Sequence, residues 1–439
     1  MIEKLNNIEI EDINKTNTLG NFYPLSSKDT ISQPIFNSKA ILGLIISFIS
    51  NKKIKHNFNF DKFKESCKEY LKSKISDEKY IDIVCKVYFD SELYLKLSAL
   101  MYQLYDTQDK SKSAFNIVFK PFLVDVSFDI ETNHNLNFIE KHIVKNFYNH
   151  CEENKIANSD ISASYLEFLS DTFKKDFIFL VETKDYFLDN IDRLIKFYIF
   201  IYTSQLALNL KPYFLEKPKS RELYFILHTE KTSQERKKLV DSSYKTLFEK
   251  VGYIFPYLSM LEHLSSITDK KDLRFYEILD FIDESEESIS VIDKFNNKFR
   301  ERSKLNAKKL DSKSLEESME NLLNSSYDEF FDPLNSKIDV FNKYKKAYDK
   351  QIAKDFIQSR GRFGKVCVLD QEMIIFLTNL AIGKEREFLH FEELIKELEA
   401  RGVYFDYKSK DELLALFERV ENIERKSDSG DSIYVYKTV

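Results

Sequence analysis

The 439-residue chain has no tryptophan, eight glycines, seven prolines, four cysteines and seven histidines, and each shortage removes something. Eight glycines are too few for folds that cradle nucleotides in repeated glycine-rich loops. The nearest approach to a phosphate loop is Gly364-Lys365, with Ser359 where the first glycine belongs and Val366 where a Ser or Thr would meet magnesium, so ATP hydrolysis by this chain alone is not expected. Cys67, Cys85, Cys151 and Cys367 are far apart and show no Cys-x-x-Cys spacing, which reads as reduced core thiols; with no signal peptide, the expected location is cytoplasmic. His134, His142 and His150 are spaced by eight, about two helical turns apart and too far to share a metal, so no metal site and no cofactor are expected. The most apolar runs, 40–49 and 197–210, fall short of the ~20 residues a bilayer crossing needs. They read as buried helices, and no membrane is expected. The formal charge of −6 excludes a polycation that wraps DNA by bulk electrostatics.

What is present suits a folded, mainly α chain. Apolar residues make up 43% and aromatic residues 14%, with 38 Phe and 25 Tyr, enough for substantial cores in two to four domains. Helical periodicity is expected at 37–50, 61–74, 77–89 and 91–105, then an extended stretch at 115–129, further helices over 136–264, and strand-like pieces at 177–181 and 223–227. An acidic knot at 280–287 is followed by a reversal of sign: 294–313 holds eight Lys/Arg against Glu301 and Asp311, and 343–365 holds eight against Asp349 and Asp355. The expected organisation is an N-terminal helical region 1–135, a central helical region 136–290, a basic helical connector 291–365 and a C-terminal winged-helix domain 366–439.

The last domain is the most legible. A helix over 371–382 carries its apolar residues on one stripe and is followed by Gly383; a second over 390–400 stops before Gly402. A third helix is expected to be capped by Ser409, with Asp411 and Glu412 in its first turn. Two strands, 422–426 and 432–437, flank a Ser-Asp-Ser-Gly-Asp loop with hairpin chemistry. The signals agree at every level, so 366–439 is expected to fold independently.

Four segments here, LTNLAIG at 377–383, ELEARGVYFD at 397–406, LFERVENIER at 416–425 and SDSGDSIYV at 427–435, together resemble the C-terminus of the DptG family of DNA phosphorothioation-dependent restriction proteins. The match spans roughly a sixth of the chain. The resemblance implies a subunit of a bacterial defence complex that attacks DNA lacking a sulphur-modified backbone, alongside motor- or ATPase-like partner subunits. No catalytic motif comes with it.

Candidate chemistry is sparse. Asp129 and Glu131, two apart after the apolar 122–126, resemble the first motif of proofreading exonucleases, whose paired carboxylates hold metal ions. A metal-dependent nuclease using them is the alternative reading, although helical periodicity fills the region where that fold needs further strands. Glu182-Thr183-Lys184 echoes half of a restriction-nuclease site without its partner aspartate, and reads instead as a helix N-terminal turn. The basic stretches carry more. Lys346, Lys350 and Lys354 recur every four residues on one face of a helix expected over 337–358, and Arg360, Arg362 and Lys365 lie in a glycine-containing loop suited to DNA phosphate contact. In the winged helix, Arg425 and Lys426 are the candidate contacts. The domain is otherwise acid-balanced, with fourteen Lys/Arg against seventeen Asp/Glu over 351–439. The reading is thus a non-catalytic subunit that docks other subunits of a restriction complex, with DNA as a further candidate partner; a winged-helix DNA-binding regulator is the remaining alternative.

Overall fold

The apolar run at 197–210 becomes the second half of the helix Lys184–Leu210, around which the rest of the chain is laid. From Leu194 to Leu210 every residue except Lys196 is buried. The helices Ser38–Ser50, Glu167–Glu182 and Tyr244–Ile267 pack against it. The computed structural model describes residues 1–13, 22–25, 36–91, 93–105, 109–124, 126, 136–154, 163–232, 236–267, 272–306, 310–331, 337–426 and 432–439.

Polar residues inside the buried run are all used. Thr203 and Ser204 donate to the carbonyls of Ile199 and Phe200, and the Gln205 amide donates to the Arg221 carbonyl and accepts from the Arg221 N–H, each at 2.9 Å. Asn209 binds both backbone groups of Lys219. The side chains that break the apolar run therefore fasten the segment 219–221 to the central helix, replacing water as partner for its backbone.

The molecule is mainly α. Among the described residues the strands form three small sheets. β1 (Lys52–Ile54) and β2 (Cys151–Glu153) pair antiparallel. A mixed sheet has the order β4-β5-β3-β7, formed by β3 (Tyr224–Leu227), β4 (Ile357–Ser359), β5 (Lys365–Leu369) and β7 (Tyr404–Phe405). A third sheet, of order β6-β9-β8, comprises β6 (Phe388–His390), β8 (Ile423–Lys426) and β9 (Ser432–Tyr436). One apolar cluster draws on described residues from Leu5 to Val435, and a smaller second one gathers Tyr224, Ile226, Leu239, Val366 and Val368.

Two expected extended pieces are helical. Residues 115–119 form a π-helical turn continued by Lys120–Phe122, and Phe115, Val118, Phe119, Phe122 and Leu123 are buried at helical spacing. Residues 177–181 lie inside the helix Glu167–Glu182, which buries Phe173, Asp176, Phe177 and Leu180. A short run buried nearly all round carries no period that separates strand from helix. The strand at 223–227 is found as β3, buried on both faces between parallel neighbours.

The elements after residue 365 follow the expected order: helices Gln371–Ile382, Phe391–Ala400 and Tyr407–Arg419, then β8 and β9. They are not self-contained, because β5 and β7 both pair with β3. Arg401, fully buried, donates from Nη2 and Nε to the two oxygens of Asp176 at 2.6 and 3.0 Å, and Tyr198 donates to the same carboxylate. An alanine at Gly402, whose φ is +81°, would bring its Cβ to 2.8 Å from Gln205 Nε2. The tail that was expected to fold independently is joined to the body by strand pairing and by a buried ion pair.

Candidate nucleic-acid interface

The loop expected at 360–365 is the tip of the β4–β5 hairpin. Gly361 and Gly364 sit at φ +58° and +89°, a region other residues enter at a cost, and the Arg360 N–H closes the tip on the Gly364 carbonyl at 2.8 Å. Lys365 reaches back to Asp349, with Nζ at 2.7 and 2.8 Å from its oxygens. The pair ties the hairpin to the stretch carrying Lys346, Lys350 and Lys354, so these two cationic groups are brought together. Arg360 donates to the His228 carbonyl. Lys365 and Arg360 are therefore engaged within the protein, whereas Lys346, Lys350, Lys354 and Arg362 are exposed.

The expected continuous helix through 337–358 does not exist. The helix Ile338–Ala347 passes into a π-helical turn, Tyr348–Ile352, then a 3-10 turn, Lys354–Phe356, and β4. Four-residue spacing therefore no longer sets Lys354 over Lys346. The break has a packing cause: Phe341, Tyr344, Tyr348, Ile352 and Phe356 are all buried, and the wider turn carries the later aromatics inward beside Phe200, whose ring lies 4.5 Å from that of Phe356. In the other basic stretch, Arg300 and Arg302 point inward. Arg300 donates to the Asn306 carbonyl and Ser325, and Arg302 to Glu329 at 2.9 Å.

The cap of the helix Tyr407–Arg419 is Asp406, which accepts from the Ser409 N–H at 3.0 Å. This corrects the sequence reading by three residues. The first turn then presents Tyr407, 78% exposed, with Lys408 and Lys410, and the acids Asp411 and Glu412 fall in the second turn. Ser409 is buried instead, its hydroxyl shared with Glu230. Arg236 donates from Nε and Nη2 to the Asp406 carboxylate and from Nη1 to Glu230, fixing the helix start against the end of β3. Burial alone would raise the Asp406 carboxyl, but hydrogen bonds from Arg236 and the Ser409 N–H outweigh it and hold the carboxyl low. Sequence reasoning missed this cluster; the only local signal was Asp406 itself, following the apolar 403–405.

Arg425 and Lys426 lie on β8, in a different sheet from the hairpin. Arg425 is paired with Glu418. Asp129, Glu131 and His134 lie outside the described residues. Glu182 ends one helix and Lys184 begins the next, at a junction rather than a strand end. Among the described residues no group of three or more His, Cys, Asp and Glu is placed to hold a metal ion, and no helix is long and apolar enough to cross a membrane. No family model matches the chain, and no characterised protein matches it.

Proposed function

We propose that this chain is a non-catalytic subunit of a DNA phosphorothioation-dependent restriction complex of the DptG kind, in which residues 366–439 form a winged-helix module that docks a motor-like partner and the β4–β5 hairpin contacts DNA phosphates. The observation that carries the DNA part is the exposure of Lys346, Lys350, Lys354 and Arg362 on the two segments that the Lys365–Asp349 pair joins. Cations that are exposed and unshared are available to a phosphate, while Arg360 and Lys365 position the hairpin rather than the ligand. The sheet order β6-β9-β8, which sets the strand before the second helix beside the last strand of the hairpin, supports the winged-helix reading. The docking part rests on the four resembling segments.

The test is duplex-DNA binding by the full chain across a salt series. Charge reversal at Lys350, Lys354 and Arg362 is expected to weaken binding equally for unrelated sequences, and to flatten the log–log salt dependence by about 0.9 for each phosphate no longer neutralised. Unchanged affinity and slope would overturn it. A second reading is favoured by the first turn of Tyr407–Arg419, where Tyr407 and Lys408 are exposed and Lys410 half-exposed, the position from which a groove-reading helix makes its contacts. Loss of binding in Lys408→Glu/Lys410→Glu, with sequence preference in the parent, selects that reading. Co-purification with partner subunits, abolished by substitutions on the 371–439 surface, tests the docking role.

A further inference from the structure

A cavity of about 300 Å³ lies where the segment 219–223 crosses the first turns of the helix Tyr244–Ile267, away from the hairpin. Three of its lining side chains are cations: Lys219, Arg221 and Lys250. Its one lining carboxylate, Glu222, is engaged by Lys238 at 3.3 Å.

Arg221 is held rigidly. Its guanidinium lies 3.5 Å from the centre of the Tyr213 ring, Nη2 donates to Glu216 at 2.7 Å, and its backbone is fastened to Gln205. Lys219 shares Glu216 at 3.7 Å. Lys250, half-buried, lines the same cavity with its Nζ 5.9 Å from the same ring, and among the described residues it has no ion pair. Burial, and then the charge of Arg221, push the Lys250 ammonium below its usual range. Glu216 answers Arg221 and Lys219, whereas Lys250 faces the Arg221 charge without a carboxylate of its own, and an anion bridging the two would supply that counter-charge. Ser242 and Thr246 also line the cavity. The volume exceeds what an inorganic anion fills and stands at the small end of ligand pockets.

We propose that this cavity is a binding site for a phosphomonoester, whose phosphate sits between Lys250 and Arg221, with Lys219 at the mouth. The proposal is independent of the DNA contact at the hairpin, since none of the residues proposed for that contact lines the cavity.

The test is calorimetric titration of the full chain with inorganic phosphate and with AMP, against chloride at matched ionic strength. Saturable one-to-one binding of either probe is expected, weakened about tenfold or more in Lys250→Gln, as removal of one charge-assisted hydrogen bond should do. Lys245→Gln, one turn away and outside the lining, should bind as the parent does. Unliganded Lys250→Gln should melt no lower than the parent, because a repulsive charge has been removed, and this separates a binding defect from a folding defect. AMP binding tighter than phosphate assigns the remaining volume to the nucleoside; equal binding assigns the site to phosphate alone. No saturable binding of either probe, or binding undiminished in Lys250→Gln, overturns the proposal.

Discussion

The fastening between tail and body and the rim of the β4–β5 hairpin use the same residue types for opposite purposes. At the fastening, Arg401 and Asp176 are both within 1% of full burial and satisfy each other through two hydrogen bonds. At the rim, Lys346, Lys350, Lys354 and Arg362 face water. Burial decides the difference. A charge removed from solvent must have a fixed partner and becomes a structural commitment, whereas an exposed charge contributes little to stability and stays available to a ligand. A count of basic residues cannot separate these cases, and this is why Arg300, Arg302 and Arg401 look no different in sequence from Arg362.

The largest effect is expected at the buried end. Arg401→Ala should destabilise the protein by about 3–5 kcal/mol in urea unfolding, because Asp176 is left charged and unpaired in the core. Pairing Arg401→Met with Asp176→Leu should recover most of that loss; if the double variant is no better than the single, the cost lies in packing and not in the orphaned charge.

A buried group kept neutral offers a middle case. His263 is 6% exposed, its ring 5.9 Å from that of Phe299, and burial, assisted by the nearby Arg302, pushes its imidazole down to about 4. Because the folded value is depressed, the stabilisation is complete above the unfolded value near 6.5 and is lost as pH falls from there towards 4. The loss at pH 4 should be on the order of 3 kcal/mol, and His263→Leu should flatten that part of the stability profile. An unchanged profile would mean that the histidine is hydrated and charged in the fold.

The smallest effect is expected at the rim. Lys350→Glu with Arg362→Glu should move stability by no more than about 0.5 kcal/mol while altering DNA affinity, so a large shift in melting would show that these side chains are structural.

Legibility in the sequence follows the same division. The helix Gln371–Ile382 was readable to the residue, because Asp370 caps it and Gly383 ends it. The start of Tyr407–Arg419 was misplaced because Asp406 and Ser409 can both cap; only the Arg236–Glu230 cluster, about 170 residues earlier in the chain, decides which one does. The helical character of 115–122 and 177–181 was hidden by burial on nearly every side. Among the candidate contacts, the loop at 360–365 was legible from Gly361 and Gly364, but the two strands that flank it were not, since a helix was expected up to 358. The commitment of Lys365 to Asp349 and of Arg360 to the His228 carbonyl was not, since those partners are 16 and 132 residues away.

The placement of β3 has a consequence for biosynthesis. Its partners lie at Lys365–Leu369 on one side and Tyr404–Phe405 on the other, both far downstream. On a ribosome adding about 5–20 residues per second, the strand Tyr224–Leu227 emerges on the order of ten seconds or more before its second edge can be covered. Until Lys365–Leu369 has emerged a nascent Tyr-Phe-Ile-Leu strand has both edges open, and until Tyr404–Phe405 follows it still has one, the form of chain most prone to pair with a neighbour. Slowed elongation, or release of a chain truncated before residue 404, would prolong that exposure and favour aggregation over folding.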